Sequence, residues 1–183
     1  MGEAFERQLQ AARVGAEWAW RAIYTEIAPD VLRYARASGA SDPDDLVGEV
    51  FLRAVRAIEG FEGDDRAFRA WIFTLARNLV IDRRRREARR RTDPVSDETL
   101  FTIGPIGDAE ADAMRAIAED RVRGVLDRLT TDQRDVLLLR ILCDLSIEQV
   151  ATVLGKHPGA IKALQSRALA TVRKRISTGA VSL

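Results

Sequence analysis

One cysteine, Cys143, and one histidine, His157, are all the thiol and imidazole in this chain of 183 residues. One thiol cannot close an internal disulfide, and one thiol with one imidazole cannot assemble a zinc-ligand set. Cys143 is therefore expected to be a small core residue. No glycine-rich phosphate loop occurs, and no nucleophile stands beside a histidine in a recognisable site, because His157 falls in a turn and reads as a cap. Asp44 and Asp45 could bind Mg²⁺ in principle, but capping at a helix start explains them. No catalytic residue, metal site or cofactor is expected, and the chain is not expected to be an enzyme. No apolar run approaches the roughly 20 residues that span a bilayer, and the early Glu3, Glu6 and Arg7 do not make a signal-peptide layout. The expectation is a cytoplasmic protein without membrane insertion. Strand signals are nearly absent too, and no internal repeat is visible.

What is present is helical. With 46% hydrophobic residues the chain can bury real cores. Apolar residues recur at spacings of three and four, with caps at the boundaries. The net charge of +1 conceals a division along the chain. Residues 1–92 carry 17 arginines against 15 acids, 93–120 one arginine against 8 acids, and 121–183 11 lysines and arginines against 5 acids. Asp93, Pro94, Ser96, Asp97, Gly104, Pro105, Gly107 and Asp108 give the middle stretch the composition of a linker. The predicted organisation is all-α: a helical domain over 1–92, an acidic flexible linker over 93–112, and a second helical domain over 113–183. The acidic stretch could lie over the basic surfaces of the free chain.

In the first domain the spacing predicts helices from Glu3 to about Gly15 and from Glu17 to about Ser38, the second with a possible kink or break at Pro29. A third begins after Asp42, a cap followed by Pro43, and runs to about Ile58. Its stripe Leu46, Val47, Val50, Phe51, Ala54 and Ile58 should be buried, while the other side mixes Asp45, Glu49 and Arg56 with Leu52. A large apolar side chain among charges suits a face that docks a partner. The helix from about Ala67 is the most apolar, with Phe68, Trp71, Ile72, Leu75 and Leu79 on one face and Phe73 and Val80 nearly opposite. After Asp82 it carries seven arginines in the nine residues from Arg83 to Arg91, a density that bound phosphates would relieve.

In the second domain Ala113 to Leu129 is amphipathic, and Thr130 with Gln133 forms a capping box before a helix from Asp132 to about Leu142. Ser146 with Gln149 repeats that pattern. A short helix to Leu154, a turn at Gly155 and Lys156, and a helix from Pro158 to about Ile176 have the spacing of a helix-turn-helix, with Ala151 at the close crossing and Ile161 buried. Gly159, Ala163, Ser166, Arg167, Ala170 and Lys174 should face outward with Lys162 on the flank. Small residues among basic ones suit a helix lying in a major groove, and Lys162 and Arg167 are the leading candidates for base or phosphate contact.

Three stretches together carry a family resemblance: Asp44 to Ala54, Phe68 to Asp82, and the pair Leu129 to Arg140 with Leu145 to Arg167. In that order they resemble the bacterial sigma factors of the extracytoplasmic-function group, sigma-70 family. The resemblance implies a region 2-like helical bundle and a region 4-like four-helix domain with a helix-turn-helix. Function would be binding of core RNA polymerase and promoter-specific initiation. Polymerase contact would fall to Asp45, Glu49, Leu52 and Arg56 on the clamp coiled coil of the largest subunit, with the flap as a second contact. Minus-ten DNA would be opened and read by Phe61, Asp64, Arg66, Arg77, Asn78, Arg83 and Arg84, and the minus-thirty-five element by Gly159, Lys162, Ala163, Ser166 and Arg167. The family also implies a sequestering anti-sigma partner and association with the nucleoid during initiation. Two departures stand out: Gly48 where a glutamine is usual, and Leu164 where many members have arginine. The alternative reading, a stand-alone helix-turn-helix regulator, accounts for the second domain but not for the aromatic spine and mixed face of the first.

Overall fold

The computed structural model describes residues 2–90 and 124–177. The expected acidic linker over 93–112 lies outside the described residues, as does most of the helix expected from Ala113, of which residues 124–126 remain as a helical turn. Among the described residues there is no strand, and no helix is long and apolar enough to cross a membrane.

The first domain consists of α1 (Gly2–Arg13), α2 (Glu17–Ala37), α3 (Pro43–Ala57), a short 3₁₀ turn (Ile58–Gly60) and α4 (Asp65–Arg90). Pro29 neither breaks nor ends α2, which continues through it to Ala37. Asp42 caps α3 as expected, its carboxylate accepting the Asp45 N–H at 2.9 Å. Leu46, Val47, Val50, Phe51 and Ala54 of α3 are buried, as are Phe68, Ile72, Phe73, Leu79 and Val80 of α4. Both faces of α4 are therefore covered, which makes it the spine around which the domain is built.

The second domain continues with α5 (Thr131–Leu137), α6 (Ile147–Leu154) and α7 (Pro158–Ser177). Leu138–Leu142 prolong α5 as a wide π turn, where the Cys143 N–H reaches back to the Leu138 carbonyl. Both capping boxes form: Thr130 with Gln133, and Ser146 with Gln149.

The two domains do not stand apart. A continuous hydrophobic core runs from Ile23, Tyr34, Leu46 and Phe68 into Val136, Leu139, Leu145, Val150 and Ile161, and a smaller cluster joins Leu129, Leu137 and Ala168. α4 packs on α6 as well as on α3, and α2 meets the π turn after α5. Cys143, expected in a core, is 1% exposed within it. Its thiol lies 3.7 Å from the Asp30 carbonyl of α2, and burial, followed by the Asp30 charge, pushes its pKa up to about 12.

Candidate nucleic-acid interface

The hairpin α6–turn–α7 is built as its spacing predicts. Gly155 adopts φ +62°, the left-handed region that costs a residue with a side chain, and the Lys156 N–H closes the turn on the Ala151 carbonyl at 2.9 Å. Ala151 and Ile161 are buried where the helices cross. The His157 Nδ1 accepts the Gly159 N–H at 3.1 Å, so the histidine is the cap its position suggests. The opposite face of α7 is open: Gly159, Lys162, Ala163, Ser166 and Arg167 are all exposed. Arg167 lies along its own helix, its Nε donating to the Ala163 carbonyl. Such a surface is narrow, basic and unobstructed, which a major groove requires.

In the first domain the loop before α4 is fixed from below. The Phe61 ring packs against Phe68 and Trp71, with centroids 5.3 and 5.1 Å away, and the Arg13 guanidinium donates to the Phe61 carbonyl at 2.5 Å. Asp64 accepts the Ala67 N–H at 2.8 Å and starts α4. Phe61, expected to contact minus-ten DNA, is only 8% exposed, so in this conformation it anchors the loop from within the core. Glu62, Asp64 and Arg66 remain exposed in the chain that follows it, and Asn78 is exposed further along α4.

The arginine run is not one uniform patch. Arg83 donates to Asp45 at 2.6 Å, to Glu49 at 3.0 Å and to the Asp42 carbonyl at 3.2 Å, while Arg84 donates to the Ser38 carbonyl. These two tie α4 to the start of α3 and the end of α2, so in this conformation they hold the first domain together rather than offering charge to DNA. Arg85, Arg86 and Arg89 are exposed. The Arg83 bond holds the Glu49 carboxyl below its ordinary pKa, aided by Arg53. The expected polymerase face is thereby organised: Asp45 and Arg56 are exposed, Glu49 is half-buried, and Leu52 is 57% exposed. Two residues not foreseen extend it, Val55 and Tyr24, the latter with its ring 4.7 Å from Phe51. Val55 follows Leu52 by three positions, so helical spacing could have found it. Tyr24 is on another helix, and no local pattern points to it.

The largest departure from a free DNA surface is at Arg77. Its Nε donates to Asp135 at 2.7 Å and its Nη2 to Asp132 at 3.3 Å, leaving the side chain 15% exposed. The Tyr34 hydroxyl donates to the other Asp135 oxygen at 3.1 Å. Burial, then the Asp135 charge, pushes the Tyr34 phenol well above its ordinary range, so it stays a donor. Around this centre Arg69 donates to the Cys143 carbonyl, Gln149 to the Arg66 carbonyl, and Lys156 pairs with Asp132 at 3.1 Å. Of the expected minus-ten residues, Asp64, Arg66 and Asn78 reach solvent, while Arg77 is covered by the second domain.

Comparison with known proteins agrees with this architecture. The family model described as Sigma-70 region 2 matches residues 23–90, and that described as Sigma-70, region 4 matches 119–177. The chain is 32% identical over 187 residues to the ECF RNA polymerase sigma factor SigD of Mycobacterium tuberculosis, covering 96% of this chain and 85% of that protein. It is 33% identical over 168 residues to the ECF RNA polymerase sigma factor BldN of Streptomyces coelicolor, covering 91% of this chain but 63% of the longer relative. Among solved structures it resembles CnrH in complex with the cytosolic domain of CnrY, with a TM-score of 0.74 at 25% identity over 96% of this chain and 98% of that one. It shares a fold with the sigma factor RpoE in complex with the anti-sigma factor NepR from Bartonella quintana, with a TM-score of 0.66 at 22% identity over 86% and 96% of the two chains. An exposed helix-turn-helix, a mixed charged and apolar face on α3 and a region 2–region 4 order therefore converge on one conclusion: the chain belongs to the extracytoplasmic-function group of sigma-70 family RNA polymerase sigma factors, which direct promoter-specific transcription.

Proposed function

We propose a division of labour among the surfaces described. α3 docks core RNA polymerase through Asp45, Glu49, Leu52 and Arg56, extended by Val55 and Tyr24, on the clamp coiled coil of the largest subunit. The second domain makes the further contact with the flap. Asp64, Arg66, Arg77 and Asn78 engage the minus-ten element as it opens, with the exposed arginines beyond Arg84 on neighbouring phosphates. Gly159, Lys162, Ala163, Ser166 and Arg167 read the minus-thirty-five duplex. Binding energy is spent on melting DNA, and the phosphodiester chemistry stays in the polymerase, so the chain itself is not a catalyst. It acts in the cytoplasm, on the nucleoid during initiation. The solved relative bound to an anti-sigma factor supports an anti-sigma partner here as well.

The observation that carries this reading is the α3 face. An exposed leucine flanked by carboxylates held in place by Arg83 has no use in a stand-alone helix-turn-helix regulator. Leu52→Glu is expected to abolish retention of the chain by immobilised core polymerase while leaving its fold and its affinity for duplex DNA unchanged. Unimpaired retention would return the regulator reading to the front.

A further inference from the structure

Gly48 lies inside α3, in ordinary helical backbone, and is not among the glycines that take a positive φ. Glycine is costly there, because it has more conformational freedom to lose on folding than any other residue. Relative to alanine the penalty is about fivefold in the folding equilibrium. No reason internal to the chain offsets it. The backbone needs no left-handed conformation, and a Cβ on Gly48 would meet no neighbouring atom within 4 Å. Gly159 is different, since a Cβ there would stand 3.3 Å from the His157 Nδ1 that caps α7.

Its surroundings place Gly48 at the centre of the mixed face. Residues three and four apart on a helix are neighbours, so Asp45 stands on one side of Gly48 along the axis and Leu52 on the other. All three are exposed, and Val55 carries the same row one step further. Asp45 is drawn to Arg83 at 2.6 Å, and Glu49 to Arg83 and Arg53, so no side chain lies over Gly48. A partner surface that rests on Asp45 and Leu52 together bridges the bare backbone between them. The gap beneath it is as deep as the missing side chain, and atoms lining a gap forfeit the contacts they would otherwise make.

We infer that Gly48 is an affinity-lowering residue: it leaves a gap in the middle of the α3 docking face, so the chain holds core RNA polymerase more weakly than the same face would with a side chain at this position. This rests on reading the α3 face as the polymerase-docking surface. Gly48 sets the strength of docking and not its register, since Asp45, Glu49, Leu52 and Arg56 keep their places around it. Weaker docking delays saturation, and the share of polymerase that carries this chain then follows the concentration of the chain over a wider range.

The test titrates the full chain with core polymerase and compares wild type with Gly48→Ala, Gly48→Gln and Leu52→Glu, alongside the melting temperature of each chain alone. Alanine restores helix propensity without projecting far, whereas glutamine restores nearly as much and reaches out between Asp45 and Leu52. Both are expected to melt higher than wild type, alanine by about 2–4 °C. Gly48→Gln should bind core polymerase about fivefold more tightly, the worth of two buried methylenes and a hydrogen bond less the rotamer freedom lost. Gly48→Ala should change the affinity by less than about twofold. Unchanged binding by Gly48→Gln would overturn the inference, and so would weaker binding, which would mean that polymerase closes onto the α3 backbone itself. An equal gain in both variants would overturn it as well, because the effect would then come from a stiffer α3 and not from a filled gap. If Gly48→Gln melts lower than wild type, Gly48→Met carries the same criteria. Loss of binding in Leu52→Glu with no gain in Gly48→Gln sinks this inference alone; Leu52→Glu bound as tightly as wild type sinks the docking reading beneath it.

Discussion

The two surfaces proposed to face DNA differ in how they are held. The reading face of α7 is presented to solvent, with all five expected contact residues exposed. That of the first domain is largely engaged by the protein itself: Phe61 in the core, Arg77 on Asp135, Arg83 on Asp45 and Glu49, and Arg84 on the Ser38 carbonyl. On the proposed reading, one domain offers a helix free to enter a duplex groove, and the other holds its basic groups on its own carboxylates and carbonyls. The contrast assigns readiness to one domain and restraint to the other.

The strongest way to break that contrast is to ask whether the domains are energetically separate. Phe68 is fully buried in the shared core, and Phe68→Ala is expected to cost about 3–5 kcal/mol. Denaturant unfolding should lose both domains in one transition. Two transitions, with the second domain unaffected, would show that the shared core does not couple them. A smaller effect sharpens the description of the open face. Gly155→Ala meets no neighbouring atom within 4 Å but must adopt φ +62°, so it is expected to cost about 1–2 kcal/mol and to weaken duplex binding by tilting α7. Melting temperature and duplex affinity check the two parts.

Charge removal on α7 should act on DNA and not on the fold. Lys162→Ala and Arg167→Ala are each expected to weaken duplex binding several-fold and, where a phosphate contact is lost, to reduce the salt slope by about 1, with stability changed by less than about 0.5 kcal/mol. An unchanged salt slope for both would mean that the exposed face is not the reading face. The smallest expected effect belongs to the restrained domain. Glu49 is held below its ordinary pKa by Arg83, so its contribution is complete above the unfolded value of 4.5 and is lost as pH falls through the lowered folded value. Glu49→Gln should flatten that acid limb of the stability curve; an identical limb in the variant would remove the Arg83 pairing from the account.

What the sequence made legible followed from local chemistry. Asp42 before Pro43, Thr130 with Gln133, Ser146 with Gln149, and Gly155 each declare a helix end through a bond made within a few residues, and each bond is present. The exposed face of α7 was legible because only one side of that helix is packed, so a 100° wheel suffices. Of the kink or break that Pro29 suggested, the break does not occur: α2 continues past the missing N–H to Ala37. The state of Arg77 could not be read, since Tyr34 and Asp135 are 101 residues apart and neither carries a local mark of the other. An acid at the head of Val136 to Leu139 was the available signal, and its inward side could have been flagged from periodicity alone. Arg83 and Arg84 look from the sequence like their neighbours in the run; only the packing of α4 beside Ser38 and Glu49 separates them from Arg85 and Arg86.

Run-off transcription with core polymerase, across a library of genomic promoters, addresses the central claim most directly. The account predicts defined start sites that need this chain, that are lost in Leu52→Glu, and that weaken in Lys162→Ala and Asn78→Ala. A chain that associates with core polymerase yet yields no transcript from any promoter, or transcripts indifferent to all three substitutions, would contradict it.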